Sequence, residues 1–209
     1  MGKLIAISHP LVQHKLSMLR DRETPTKQFR ELVEEISMLM AYEVTRDLPT
    51  REVPVETPFG RAVTKVVADR PVTLVPLLRS GLVMADGVAK LVPAARTGHI
   101  GIFREREDNR TVKYFCKLPE GVEDSLVLVF DAMLGTGMTA IKAVWMLKEA
   151  GCQNIRFVCL VASREGVDEL MKVHPDVDVY AAGYDLETDE KGFVLPGLGD
   201  AGDRLFGTR

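Results

Sequence analysis

Apolar residues recur at steps of three and four between residues 25 and 48. Phe29, Leu32, Val33, Ile36, Leu39, Met40 and Val44 share one face of an amphipathic helix. Pro25 behind Thr24 suits its first turn. The pattern then changes period. Glu52-Val-Pro-Val-Glu56 alternates as an extended segment does, and Val72-Thr-Leu-Val-Pro-Leu-Leu78 is mostly apolar. A helix is expected from about Leu82 to Val92. A strand at His99–Phe103, a charged turn at Glu107–Arg110 and a strand from Val112 to Cys116 read as a projecting hairpin.

The sharpest unit spans residues 125 to 162. Ser125-Leu-Val-Leu-Val-Phe130 is a short apolar run, as expected of a strand covered on both faces. A glycine-containing turn leads to a helix capped near Ala150-Gly151, and Ile155–Val161 is the next strand. Strand, turn, helix and strand within this span make a βαβ unit and imply a parallel sheet. A helix at Val167–Val173 and a strand at Val177–Ala181 extend it. The expectation is therefore an α/β chain with an open, mostly parallel sheet. A length of 209 residues without repeats or low-complexity linkers fits one domain over 1–209.

Charge narrows the function classes. With 27 basic and 30 acidic residues, a net charge of −3 gives no bulk attraction for nucleic acid. Cys116, Cys152 and Cys159 are odd in number and form no Cys-x-x-Cys pair, which argues against a disulfide framework or zinc knuckle. The amino-terminal residues lack the apolar core of a signal peptide, and no run reaches membrane-spanning length. A soluble, cytoplasmic protein without nucleic-acid or membrane partners is expected. His9, His14, His99 and His174 share no metal-binding spacing, and Met18, Met38, Met40, Met84 and Met146 read as core filler.

In an open parallel sheet, ligands sit beyond the carboxyl ends of the strands. The turn after Phe130 comprises Asp131, Ala132, Met133, Leu134, Gly135, Thr136, Gly137, Met138 and Thr139. Gly135 and Gly137 allow a tight curl whose N–H groups can converge on one anion. Thr136 and Thr139 add hydroxyls, and the following helix adds its positive end. These groups suit a phosphate monoester, and Asp131 could accept hydrogen bonds from sugar hydroxyls. Neither a Walker A motif nor Gly-x-Gly-x-x-Gly is present. Taken alone, the segment serves equally as a structural turn.

Three segments besides that turn narrow the reading. Phe130-Asp131, an apolar triplet and Gly-Thr-Gly resemble the phosphoribosyl-diphosphate loop of type I phosphoribosyltransferases. Pro76-Leu-Leu-Arg-Ser-Gly81 is similar to the Pro-Ile-Leu-Arg-Ala-Gly turn of uracil phosphoribosyltransferases, and Gly98-His-Ile-Gly-Ile-Phe-Arg104 to their next strand. The tail Pro196-Gly-Leu-Gly-Asp-Ala-Gly-Asp-Arg-Leu-Phe-Gly-Thr208 nearly repeats that family's carboxy-terminal signature. His9-Pro-Leu-Val-Gln-His-Lys15 and Phe29-Arg-Glu-Leu32 also match.

The resemblance implies a type I phosphoribosyltransferase fold, with 1–50 as an N-terminal helical segment and 182–209 as a uracil-binding hood. It implies transfer of phosphoribosyl from 5-phosphoribosyl 1-diphosphate (PRPP) to N1 of uracil, giving UMP and diphosphate. Arg79, Arg104, Asp131 and Asp200 would be catalytic, and PRPP would rest on these and on residues 132–139. Uracil would be read by main-chain groups around Val194, Gly199, Asp200 and Ala201. Magnesium would arrive bound to PRPP. A GTP effector, allosteric control and a homodimer or higher homo-oligomer are further implications.

The chain also departs from the family pattern. The common loop reads Asp-Pro-Met-Leu-Ala-Thr-Gly-Gly-Ser, whereas Ala132, Gly135, Met138 and Thr139 stand here for Pro, Ala, Gly and Ser. Losing proline and gaining Gly135 should loosen the turn, and Met138 removes a flexible position. Phe193 replaces a tyrosine, and Gly183–Glu190 replaces the family's Leu-Asp-Glu-x-Leu-Asn segment. Two rivals follow: a non-catalytic sensor of pyrimidine nucleotides, and the same transfer to another base.

Overall fold

The computed structural model describes residues 2–68, 71–104 and 111–208, with only the backbone of Arg104. In chain order, β1 (Leu4–Ala6) precedes α1 (Pro10–Arg20) and α2 (Thr26–Val44), and β2 (Thr50–Thr57) pairs with β3 (Gly60–Val67). Next come β4 (Val72–Leu78), α3 (Leu82–Leu91), β5 (Arg96–Thr97), β6 (His99–Arg104) and β7 (Thr111–Lys117). The second half holds β8 (Leu126–Leu134), α4 (Met138–Glu149), β9 (Asn154–Ser163), α5 (Arg164–Val173) and β10 (Asp178–Asp185). It closes with β11 (Glu187–Thr188), β12 (Val194–Leu195) and α6 (Ala201–Phe206).

The main sheet has the order β1-β10-β9-β8-β4-β6-β7, with β5 beside β4. All its pairs are parallel except β6–β7, so the expected open, mostly parallel sheet with flanking helices is what forms. The apolar runs of the central strands divide by residue parity. On β8, Leu126, Leu128 and Phe130 enter the core beneath α1, α2 and α3, whereas Val127 and Val129 enter the core beneath α4 and α5. The stripe on α2 behaves as its spacing requires: Phe29, Val33, Ile36 and Met40 are fully buried. Ser37 interrupts that face, but its hydroxyl donates to the Val33 carbonyl at 2.7 Å.

Three local differences carry physical lessons. First, β8 continues through Asp131 to Leu134 instead of ending at Phe130, because the ladder with β9 persists through Met133↔Val161 and Leu134↔Ala162. The bend proper is thus Gly135–Gly137. Secondly, the amino-terminal segment includes a strand, since β1 pairs with β10 through Leu4↔Val179. Thirdly, the hairpin of β6 and β7 forms, but its base is joined to β4 through Leu77↔Ile100 and Leu78↔Gly101. The freestanding hairpin is β2–β3, whose strands are largely exposed on both faces. The charged turn expected at Glu107–Arg110 lies outside the described residues.

Candidate active site

Two bends and the carboxy-terminal segment converge at the carboxyl ends of β4 and β8. The β4–α3 bend contains Arg79, Ser80 and Gly81. A Cβ on Gly81 would lie 2.2 Å from the Phe130 carbonyl oxygen, so only glycine lets this bend pack against β8. That approach brings the Ser80 hydroxyl within 2.5 Å of Asp131 Oδ1, to which it donates. The Leu78–Arg79 peptide is cis. Arg79 is half-exposed; its Nη2 lies 3.7 Å from Asp203 Oδ1, and its guanidinium sits 5.4 Å from the Phe206 ring centre.

Asp131 retains partial solvent contact while its carboxyl sits among strand ends. Burial pushes its pKa up to about 6, against the opposing pull of the Ser80 hydroxyl and the Ala132 and Met133 amides. The carboxyl group is thus held protonated to a higher pH than an ordinary aspartate. Cys159, buried on the adjacent strand, is pushed far above the usual thiol range by desolvation and by Asp131, and stays protonated.

The β8–α4 bend supplies backbone donors. Gly137 adopts φ 79°, a left-handed conformation, and a Cβ there would lie 3.0 Å from the Gly166 carbonyl oxygen. The first-turn amides of α4 follow, without intrahelical acceptors. Met138 takes the first helical position, so that site needs no glycine. Gly135 does, but for a different reason than loosening: a Cβ there would lie 2.4 Å from the Gly192 carbonyl oxygen. The Gly135 carbonyl accepts from Ser163 Oγ at 2.6 Å, and that hydroxyl caps α5 by accepting from Gly166 N at 2.9 Å. A cavity of about 180 Å³ lies over the bend, lined by Asp131, Met133 to Ala140, and Lys191, Gly192 and Phe193.

A second cavity, of about 220 Å³, adjoins it and is lined by Arg79, Ser80, Asp131, Ala132, Met133, Phe193, Asp200, Ala201 and Gly202. Asp131, Met133 and Phe193 border both. The carboxy-terminal segment forms one wall. β11 and β12 pair through Thr188↔Val194, the Leu195–Pro196 peptide is cis, and Asp200 Oδ1 caps α6 by accepting from Asp203 N at 3.0 Å.

Arginines tie this segment to the amino-terminal helices. Arg20 grips Asp185 with two bonds of 2.8 Å and donates to the Gly197 carbonyl at 3.0 Å. Arg204 donates to the Leu19 and Leu198 carbonyls at 2.8 and 2.9 Å, with its guanidinium 4.1 Å from the Phe29 ring centre. Arg30 reaches the Leu205 carbonyl at 2.8 Å. Val194, Leu198, Ala201 and Leu205 are buried in the same core as α2, so the glycine-rich tail is packed.

Of the residues singled out in the sequence, Arg79, residues 131–139, Asp200 and Ala201 border the paired cavities. Val194 is buried, and Gly199, at φ 68°, lies on the approach to Asp200; neither borders these two cavities. Arg104 ends β6 opposite Thr111, and its side chain lies outside the described residues. Ser80, Lys191, Gly192 and Gly202 enter the site without being picked out as site residues in the sequence. Ser80 had a local signal, standing between Arg79 and Gly81; the others depend on how the tail folds back. Another cavity, of about 150 Å³, lies at the amino ends of the strands, where Arg156 already pairs with Asp47 at 2.6 Å. It shares no residue with the converging bends.

This geometry places a bend rich in backbone amides and hydroxyls beside a cavity carrying an arginine and two carboxylates. The family model described as uracil phosphoribosyltransferase matches residues 6–208. The chain is 54% identical over all 209 residues to a uracil phosphoribosyltransferase of Bacillus licheniformis, covering the whole of both chains. Its backbone is similar to a solved protein of Aquifex aeolicus, with a TM-score of 0.91, 30% identity and 97% of each chain covered. An adenine phosphoribosyl transferase from Trypanosoma brucei, 10% identical, shares the fold alone at a TM-score of 0.60, over 90% of this chain and 85% of that one. Sequence, sheet order and paired cavities lead to one assignment: the chain belongs to the uracil phosphoribosyltransferase family.

Proposed function

We propose that this chain transfers the phosphoribosyl group of PRPP to N1 of uracil, forming UMP and releasing diphosphate. The observation carrying the proposal is that the two cavities share Asp131, Met133 and Phe193 as a common wall. A ribose bridging them would place its 5-phosphate over the β8–α4 bend and its anomeric carbon toward Arg79, Asp200 and the hood. Asp131, ionised above about pH 6, would accept hydrogen bonds from the ribose hydroxyls. The C1–oxygen bond to diphosphate breaks as the C1–N1 bond forms, and the proton on uracil N1 leaves to solvent or to the released diphosphate. Positive charge gathers on the sugar, so placement and charge stabilisation dominate.

Arg79 would draw the leaving diphosphate with its guanidinium fork, and Arg104 is assigned the same task. Magnesium would arrive bound to PRPP, and Asp131 and Asp200, which line one cavity, would face that complex without forming a carboxylate cage of their own. When bound, that ion neutralises part of the diphosphate charge. Main-chain groups at Val194 and from Gly199 to Ala201 are assigned to uracil. A base with the wrong hydrogen-bonding edge would leave a buried polar group unpaired, at a cost of about 1–3 kcal/mol.

The assignment extends to one domain over 1–209 and a homodimer or higher homo-oligomer. Self-association is supported by the β2–β3 hairpin, which exposes Phe59, Val63 and Val67. Among the described residues no helix is long and apolar enough to cross a membrane; a cytoplasmic location belongs to the same proposal. Purified chain incubated with PRPP, magnesium and a panel of bases tests the reaction. UMP formed with uracil alone is the expected result. Saturable UMP binding without turnover would replace the enzyme with a nucleotide sensor, and turnover with another base would change the acceptor.

A further inference from the structure

The cavity over the β8–α4 bend has two walls from distant parts of the chain, and their charges differ. The bend offers amides, the Thr136 and Thr139 hydroxyls and a helix amino end whose dipole is equivalent to about half a positive charge. A phosphate monoester brings a charge of about −1.5 to −2 at neutral pH. Asp131 adds a further negative group once ionised. Among the residues lining this cavity, the single cation is Lys191, and it comes from the opposite wall.

The turn carrying Lys191 is tightly constrained. Asp189 Oδ1 accepts from Lys191 N at 2.9 Å and from Phe193 N at 2.8 Å. Gly192 N donates to the Asp189 carbonyl, and Asp189 N to the Phe193 carbonyl, both at 2.8 Å. Gly192, at φ 82°, turns its carbonyl onto Gly135 at the distance that excludes a Cβ there. The strap is thus seated on the bend, while the Lys191 side chain is exposed and makes no ion pair among the described residues. A compact ammonium on a flexible stem suits a phosphate oxygen.

From this placement we infer that Lys191 is a substrate-binding residue, the side-chain cation of the 5-phosphate subsite, linking the strap to the bend when that subsite fills. Phe193, two residues on, borders both cavities, so phosphate occupancy would also steady the wall of the base cavity. The inference rests on the phosphoribosyl reading above. A solvated lysine at the cavity mouth is the simpler rival.

Calorimetry on the full chain with ribose 5-phosphate and with diphosphate as separate probes decides between them. Lys191→Ala should weaken ribose 5-phosphate binding about tenfold or more, as loss of a charged contact does. Lys191→Arg should keep most of the affinity, and diphosphate binding should be unchanged in both. In turnover, the KM for PRPP should rise in parallel while kcat stays near wild type. Ribose 5-phosphate affinity and KM unchanged in Lys191→Ala, with wild type forming UMP, would overturn the lysine assignment and leave the reaction intact. The predicted affinity loss in a chain that forms no UMP would uphold the subsite and remove the reaction. Wild-type chain that fails to bind ribose 5-phosphate would overturn the lysine assignment, with UMP formation deciding the reaction separately.

Discussion

The bend between β8 and α4 and the carboxy-terminal hood face each other across one site but are held in different ways. The bend is local: Gly135–Gly137 connects a strand to the helix that immediately follows it, and Gly137 meets its conformational demand with φ 79°. The hood is held from afar. Arg20 reaches Asp185 across 165 positions, Arg30 reaches Leu205 across 175, and Arg204 reaches Leu19 across 185. Local damage should therefore abolish one subsite while the hood stays seated, whereas damage to the clasp should loosen the hood and spare the bend.

The largest effect is expected from Gly137→Val. A β-branched residue cannot readily adopt the left-handed backbone, and its side chain would press on the Gly166 carbonyl. Ribose 5-phosphate binding measured by calorimetry should disappear while Arg204 and Arg20 still hold the hood; wild-type affinity would sink the cradle model. Next is Arg204→Met, which strips donors from the Leu19, Leu198 and Asp21 carbonyls. The expected cost is about 2–3 kcal/mol in denaturant unfolding, with a raised KM for uracil and a smaller loss of ribose 5-phosphate affinity. Equal losses in both ligands would show that the two walls are not independent.

Asp131→Asn is the smallest and sharpens the comparison at the shared wall. Folding raises this carboxyl's pKa to about 6, so the folded chain holds the proton more tightly than the unfolded chain. Stability from this group is greatest below about pH 4 and falls as pH rises through about 6. The asparagine variant should therefore unfold later than wild type at pH 8, by about 1–2 kcal/mol, with the gap closing near pH 4. Its turnover should drop, because the anionic acceptor is gone. A variant less stable than wild type at pH 8 would mean that the carboxylate is stabilised by its donors more than it is penalised by burial.

The apolar run ending at Phe130 was legible because a strand covered on both faces needs no polar interruption, and the α2 stripe because helical period survives any neighbour. The β2–β3 hairpin was only half legible. Glu52–Glu56 alternates, but Arg61–Val67 mixes apolar and polar residues because neither face of the pair is buried. The need for glycine at 135 was not legible, since it depends on the Gly192 carbonyl, 57 positions away in the chain.

Composition, period and motif alone determined the parallel sheet, the place of the glycine-containing bend and the family, all consequences of contacts between near neighbours or of unbroken apolar runs. Only the tertiary structure decided that Ser80 donates to Asp131, that three arginines clasp the hood, and that Lys191 overhangs the cradle. Each of these joins segments whose spacing along the chain carries no signal, because the chain's path between them is set by how the two cores pack on the sheet.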